Sequence, residues 1–224
     1  MPPAKLDRRH IAATALRLLG DVGLEGLSLR TIAKELDVKA PALYWHFKDK
    51  QALLDEMATE MLRRMTADMT AAATEGSTWQ ETLTDAMRGL RGHLLRYRDG
   101  AKVYSGTRFT DTSYAEPMER MLAALVAAGF TPKTAARAWF TAYSYTIGYV
   151  IEEQAMGPAP GADGDEGYDL EARAARLAPY PHASAAGDEL FRDHDTGFED
   201  GLRAVVAGIA AVGEQRTGCE PGTG

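Results

Sequence analysis

Cysteine is almost missing from this chain: 224 residues hold one, Cys219. That excludes an internal disulfide and any zinc site built on cysteine pairs. No uninterrupted apolar run approaches the ~20 residues that a membrane-crossing helix needs. The N-terminal MPPAKLDRRH holds no apolar stretch of the kind a signal peptide uses, so a reducing cytoplasm is the expected compartment. Net positive charge is missing too. The formal net charge is −7, which argues against a protein coated in nucleic acid. The charge is uneven, however: basic side chains outnumber acidic ones over residues 1–50, and the remainder is clearly acidic. A small basic module on an acidic body fits local DNA contact, although a swing of that size also arises by chance.

Catalytic groupings are missing as well. The five histidines are His10, His46, His93, His182 and His194. None stands with a nucleophile and an orienting acid, so no enzymatic activity and no resident cofactor are expected. In FRDHD (191–195), two aspartates flank His194. Adjacent residues on a helix do not face one site, which argues against a metal centre there. The glycines in 100–106 do not follow a strand, so no phosphate-binding loop is implied.

What is present is helical periodicity almost throughout, and the expected fold class is all-α. Ile11, Ala15, Leu18, Leu19 and Val22 share one face, and Gly23 reads as a stop. Leu29, Ile32, Ala33 and Leu36 repeat at helical spacing behind Ser28, a residue type suited to an N-cap. A short third helix spans Ala42 to Phe47, with Pro41 suited to its first turn. Asp49 then caps a long helix with the stripe Leu54, Met57, Met61 and Met65. Further helices are expected near 79–97, 115–128, 132–156 and 188–214. GPAPGADGDEG (157–167) reads as a mobile loop. These elements divide into a three-helix domain over 1–50, a helical effector-binding and dimerisation domain over 51–215, and a flexible tail over 216–224.

The second and third helices, joined tightly at LDVKAP, have the pattern of a helix-turn-helix, whose second helix reads the major groove. Leu43 and Phe47 are spaced for the buried face of that reader, so Tyr44, Trp45 and His46 point elsewhere. The Tyr44 hydroxyl, the His46 ring N–H and the ammonium groups of Lys48 and Lys50 can reach phosphate oxygens. The same aromatics could instead fill a junction between domains; periodicity alone does not separate the two.

LSLRTIAKELDVKAPALYWHFKDKQALLDEM (27–57) resembles the DNA-binding domain of the TetR family of regulators. LLRYRDGAKVYSGTR (94–108), YTIGYVIEEQ (145–154) and the helix from Phe198 to Val212 resemble later parts of the same family. The resemblance implies a ligand-responsive repressor that binds a palindromic operator as a homodimer. It places Arg30 on a guanine, where a guanidinium fits O6 and N7 together. It also places Lys39, Ala40, Pro41, Ala42, Tyr44, Trp45, His46, Lys48 and Lys50 at the duplex. Ala40 and Ala42 stand where family members carry glutamine and threonine. Alanine touches only a thymine methyl, so a different operator is expected at those bases.

For the effector, helix 132–156 is apolar almost all round, from Trp139 and Tyr143 to Ile151, and a helix of that kind is buried by a second subunit or around a cavity. Family members that take a magnesium-chelated drug bind the metal through a histidine, with a threonine and a glutamate on its waters. Thr107 and Glu152 match the last two, while Tyr104 stands at the histidine. A neutral phenol, with an ordinary pKa of about 10, is a poor ligand for Mg²⁺. Ser144 replaces a second histidine, Ala86 an asparagine and Phe109 a proline. The resemblance therefore implies a retained pocket, with Ala86, Leu90, Tyr104, Thr107, Arg108, Phe109, Trp139, Tyr143, Ser144 and Glu152 as candidates. It implies a different ligand, a small aromatic and polyketide-like compound, with no metal site of the protein's own. The alternatives are a magnesium–tetracycline-responsive repressor of an efflux gene, or a ligand-binding module that no longer binds DNA. In the last helix Phe198, Leu202, Val205, Val206, Ile209 and Val212 form one stripe, with Gly201, Ala204 and Gly208 leaving room for another helix. Paired subunits would present two readers to half-sites about 34–36 Å apart, and ligand near Tyr104, Thr107 and Arg108 would change their spacing through the helix that starts at Asp49.

Overall fold

A computed structural model of the chain describes residues 6–70, 76–157 and 168–217. Among the described residues every regular element is a helix. In chain order these are α1 (Arg8–Gly26), α2 (Leu29–Glu35), α3 (Ala40–Tyr44), α4 (Lys50–Thr70), α5 (Trp79–Leu95), α6 (Gly100–Tyr104), α7 (Ala115–Ala127), α8 (Pro132–Ala155), α9 (Leu170–Arg176), α10 (Pro181–Phe191) and α11 (His194–Thr217). None is long and apolar enough to cross a membrane. The loop expected over 157–167 lies, after Gly157, outside the described residues, as does the tail beyond Thr217. The chain divides into two compact units. The first comprises residues 1–74 with 89–118, and the second residues 75–88 with 119–224.

The first unit is built on α1, α2, α3, α4 and α6, with α1 and α6 each packed on α4. Asp7 opens α1, its carboxylate accepting from the His10 N–H at 2.8 Å. Ser28 opens α2 through Thr31 N–H. Asp49 precedes α4 and accepts from Ala52 N–H at 2.8 Å. All three are N-caps, satisfying amides that have no partner inside the helix. Gly23 does not end α1. It sits at φ 65°, ψ 176° as a kink, and a further helical turn runs to Gly26. The third helix starts earlier than its periodicity suggests. Pro41 occupies its first turn, Tyr44 is its last helical residue and Phe47 follows it fully buried. The tight joint before it turns on Asp37, which takes φ 51°, a left-handed geometry that aspartate adopts more readily than most residues.

In α4 the interior is not a simple apolar stripe. Leu53, Met57, Ala58, Met61 and Leu62 are buried as a helix in a core should be, but so are Glu56 and Glu60. Charged side chains are almost never fully buried without partners.

The second unit contains α8 to α11, with α8 packed on α11 and α10 on both α9 and α11. The apolar spacing predicts one helix over 188–214; two are present, separated at Arg192 and Asp193. The reason is local: the Asp193 carboxylate accepts from Thr196 N–H at 3.1 Å and starts α11 afresh. In α8 the buried residues are Ala135, Ala138, Ala142, Thr146, Ile147 and Val150, a single face. Phe140, on another face of α8, is 60% exposed within the single chain.

The face of α8 meets α11 through two tyrosines. The Tyr145 hydroxyl donates to the Phe198 carbonyl at 2.9 Å, and the Tyr149 hydroxyl to the His194 carbonyl at 3.0 Å. Phe198 is fully buried and stacks on Tyr145. Gly201 leaves room for another helix, as its place in the stripe suggests, and that helix is α8 of the same chain. The space above it holds the Tyr145 hydroxyl of its own chain. Gly201→Ala should therefore destabilise the chain by about 1–3 kcal/mol through overpacking, read as a lower denaturant midpoint. Adding Tyr145→Phe, which removes the obstructing oxygen, should recover part of that loss.

Candidate nucleic-acid interface

The reader segment is presented by burying its underside. Leu43 and Phe47 have no solvent exposure, while Tyr44 is 52% and Trp45 90% exposed. This spacing settles the direction of the aromatics within the first unit: the expected pair faces inward, and Tyr44 and Trp45 lie on the surface. An exposed tryptophan loses hydrophobic stabilisation of about 1.5–3 kcal/mol relative to a buried large side chain.

Around these rings lie cations. Arg30, near the start of α2, and Lys39, the N-cap of α3, are exposed. Neither makes an ion pair or side-chain hydrogen bond among the described residues. Lys48 is exposed, with its ammonium 4.0 Å from the Asp49 carboxylate. Lys50 is also exposed, and its ammonium donates to the Leu24 carbonyl at 2.8 Å. An ammonium has three donors, and this bond ties α4 to the end of α1 with one of them. Ala40 and Ala42 are half-buried beside exposed Pro41, and His46 is half-buried. All of these candidates thus sit on α2, on α3 or within a few residues of α3.

Beneath the reader is an ionic cluster that periodicity did not reveal. A cleft of about 530 Å³ is lined by Asp7, Arg8, Arg9, His46, Glu56, Arg63 and Thr110. Arg8 Nε meets Glu56 Oε2 at 3.0 Å, and its Nη1 donates to the His46 carbonyl at 2.6 Å. Its guanidinium also lies 4.5 Å from the Phe47 ring centroid, close enough for a cation–π attraction. Arg9 and Arg64 each pair with Glu60 at 3.0 Å. Arg63 bridges Glu56 at 3.2 Å and Glu60 at 3.3 Å, and pairs with Asp111. The sequence signal was visible: acids and arginines three, four and seven positions apart on α4. That spacing ordinarily marks a solvated helix face, so it pointed outward rather than in.

The effector candidates fall on both units. In the first unit Leu90 and Tyr104 are buried, and Tyr104 meets Phe109 edge to face at 5.5 Å. The Thr107 hydroxyl donates to the Val103 carbonyl at 2.9 Å, and the Arg108 N–H to Asp55 at 3.2 Å. In the second unit Trp139 stacks on Tyr143 at 5.1 Å. Burial pushes the Tyr143 phenol up from its ordinary value. Ala86 is half-buried, while Ser144 and Glu152 are exposed. No group of three or more histidine, cysteine, aspartate or glutamate side chains among the described residues could hold a metal ion.

Comparison with known proteins shows the family. Residues 11–57 match the family model "Bacterial regulatory proteins, tetR family", and residues 72–212 match "Tetracyclin repressor-like, C-terminal domain". The tetracycline repressor protein class A from transposon 1721 of Escherichia coli is 38% identical over 207 residues, covering 92% of this chain and 91% of that protein. A possible TetR family transcriptional regulator from Streptomyces coelicolor A3(2) superposes with a TM-score of 0.78 at 36% identity, over 92% of this chain and all of that one. A single-residue variant of TetR from Acinetobacter baumannii AYE, solved in complex with minocycline, gives a TM-score of 0.69 at 32% identity, over 93% and 98% of the two chains.

Two outcomes test the arrangement. Trp45→Ala should leave folding stability within about 0.5 kcal/mol, whereas Phe47→Ala should cost about 3–5 kcal/mol; denaturant unfolding of the full chain distinguishes them. The second concerns Asp111. Its burial works to raise the carboxyl, but hydrogen bonds from Ser113 and the Arg63 guanidinium prevail and hold it at about 2 instead of 3.8. The folded state therefore binds this proton less readily than the unfolded one. The resulting stabilisation is present above 3.8 and disappears as pH falls towards about 2. The stability gap between the native chain and Asp111→Asn should close over that window.

Proposed function

The chain belongs to the TetR family of bacterial regulatory proteins, and on that premise we propose that it is a ligand-responsive repressor. Two copies grip a palindromic operator through α2 and α3, and a small aromatic effector releases them. The observation that carries this reading is the presentation of Tyr44 and Trp45 in the open, flanked by Arg30, Lys39 and Lys48, above a fully buried Leu43 and Phe47. Arg30 reads a guanine through two hydrogen bonds, and the aromatic and lysine tips hold the phosphate walls. Ala40 and Ala42 offer methyl groups alone, which suits thymine.

The dimer forms through α8 and α11. A groove of about 400 Å³ between them is lined mainly by apolar and small side chains, Phe130, Ala138, Val205, Gly208 and Ile209 among them, with Val212 60% exposed at its edge. A Cβ at Gly208 would meet nothing within 4 Å, which supports close approach of a second helix there. Two-fold pairing sets the distance between the two readers.

The similarity to a tetracycline repressor favours a second reading, in which the effector is a magnesium–tetracycline chelate. The donor set argues against it. Tyr104 is buried against Phe109, and the Thr107 hydroxyl is engaged with its own chain. A neutral phenol is a poor ligand for Mg²⁺. Within the first unit, the aromatic pair Tyr104 and Phe109 instead favours a planar, oxygenated compound without a chelated ion. Effector near 104–108 acts on α4, on which α6 packs. It shifts the population only as far as it prefers the released state.

Binding to a labelled DNA fragment from the region next to the chain's own gene tests the reading. Affinity should fall steeply with salt. Arg30→Ala should remove about 1–3 kcal/mol of discrimination at one base pair of each half-site. Salt-insensitive binding, or no binding at all, would favour a ligand-binding module instead. Calorimetry with magnesium and tetracycline should show no tight, metal-dependent association.

A further inference from the structure

The ionic cluster under the reader has two ends. One is Arg8, whose guanidinium holds the His46 carbonyl at 2.6 Å and lies over Phe47. The other is Asp111, in the segment that follows α6 and the effector candidates Thr107, Arg108 and Phe109. Between them stand Glu56 and Arg63, in an unbroken series of ion pairs: Asp111 with Arg63, Arg63 with Glu56 at 3.2 Å, and Glu56 with Arg8 at 3.0 Å. The Glu56 side chain is 5% exposed and that of Glu60 6%. Two carboxylates one helical turn apart repel each other, and away from water each depends on its guanidinium partners.

Arg63 is shared. Its Nη1 serves both glutamates, while its Nε donates to Asp111 at 2.9 Å. When Asp111 moves away, Arg63 turns its whole charge to Glu56 and Glu60. Glu56 then depends less on Arg8, and Arg8 is held less firmly against the reader. The segment carrying Asp111 is itself tied to α4, since the Thr110 N–H donates to the Thr59 hydroxyl at 2.9 Å. Displacing this segment therefore reaches the cluster directly.

We propose that Arg8 is a positioning residue for the reader helix, and that the series Asp111–Arg63–Glu56–Arg8 makes its hold depend on where the 107–114 segment lies. This is an electrostatic route alongside the rigid motion of α4. It deepens the reading of the chain as a ligand-responsive repressor by naming the contacts through which the effector segment reaches the DNA-binding face.

The test uses the full chain without DNA, so its outcome does not depend on the operator. Hydrogen exchange is measured at the amides of His46 and Phe47, both of which donate to the Leu43 carbonyl. Asp111→Asn should speed exchange at these amides by about tenfold, typical of coupled residues. Arg8→Ala should do at least as much, Arg8→Lys should restore part of the protection, and Asp111→Asn should add nothing further in the Arg8→Ala background. Faster exchange confined to the segment around Asp111 and the middle of α4 would overturn the proposal. So would additive effects of the two substitutions. Should Arg8→Ala fail to fold, the Asp111→Asn chain alone decides, because its substitution lies far along the sequence from the amides read. Anisotropy with the same DNA fragment then tests operator binding separately. Absence of binding by the native chain removes the repressor reading but leaves the exchange result standing.

Discussion

Two carboxylates buried on one helix constrain the first unit more than any other feature. Glu56 and Glu60 sit where α4 meets the rest of its unit, and a charge removed from water is tolerated only with close, well-aligned counter-charges. Four arginines supply them: Arg8 and Arg9 from the start of α1, Arg63 and Arg64 from α4 itself. The consequence is geometric. The N-terminal end of α1 cannot drift from α4 without uncovering a carboxylate, and the reader, held through the His46 carbonyl, is drawn into the same arrangement. Such a network adds little net stability compared with an apolar core. Its value lies in admitting one arrangement and making departures costly.

The exposed surface of α3 follows from that support. Leu43 and Phe47 anchor the reader from below, so Tyr44 and Trp45 have no core to enter. A single short helix gains little from its own hydrogen bonds. It is therefore held mainly by these two anchors, by the Asp37 turn and by Arg8. A segment held by few contacts can be released by small changes, which is the property a switch requires.

In the second unit the tyrosines of α8 carry out two tasks. Tyr145 and Tyr149 bond the backbone of α11 and give the pair its register, while Trp139 and Tyr143 stack on each other. Their polar tips separate the roles. A hydroxyl bonded to a neighbouring carbonyl is structural, whereas the raised pKa of Tyr143, caused by burial alone, marks a phenol kept from water without a charged partner.

Much of this was legible in the sequence. Helical spacing predicted the all-α class, the caps at Ser28 and Asp49 fell where short polar side chains precede apolar runs, and the i, i+4 pair Leu43 and Phe47 told which way the reader faces. These are local matters, settled within one or two turns of chain. Other features depended on residues far apart. The spacing within α4 carries no sign that Glu56 and Glu60 are buried; arginines 48 and 51 positions away in the chain cover them. Gly201 read as room for another helix, and the fold decided that this helix is α8, whose Tyr145 fills the space. The last helix read as continuous until Asp193 found an amide to cap. The sequence by itself determined where helices form and which face of each is apolar, because those properties repeat every few residues. Only the tertiary structure decided which charges are buried and what they hold, because burial depends on what the rest of the chain lays on top.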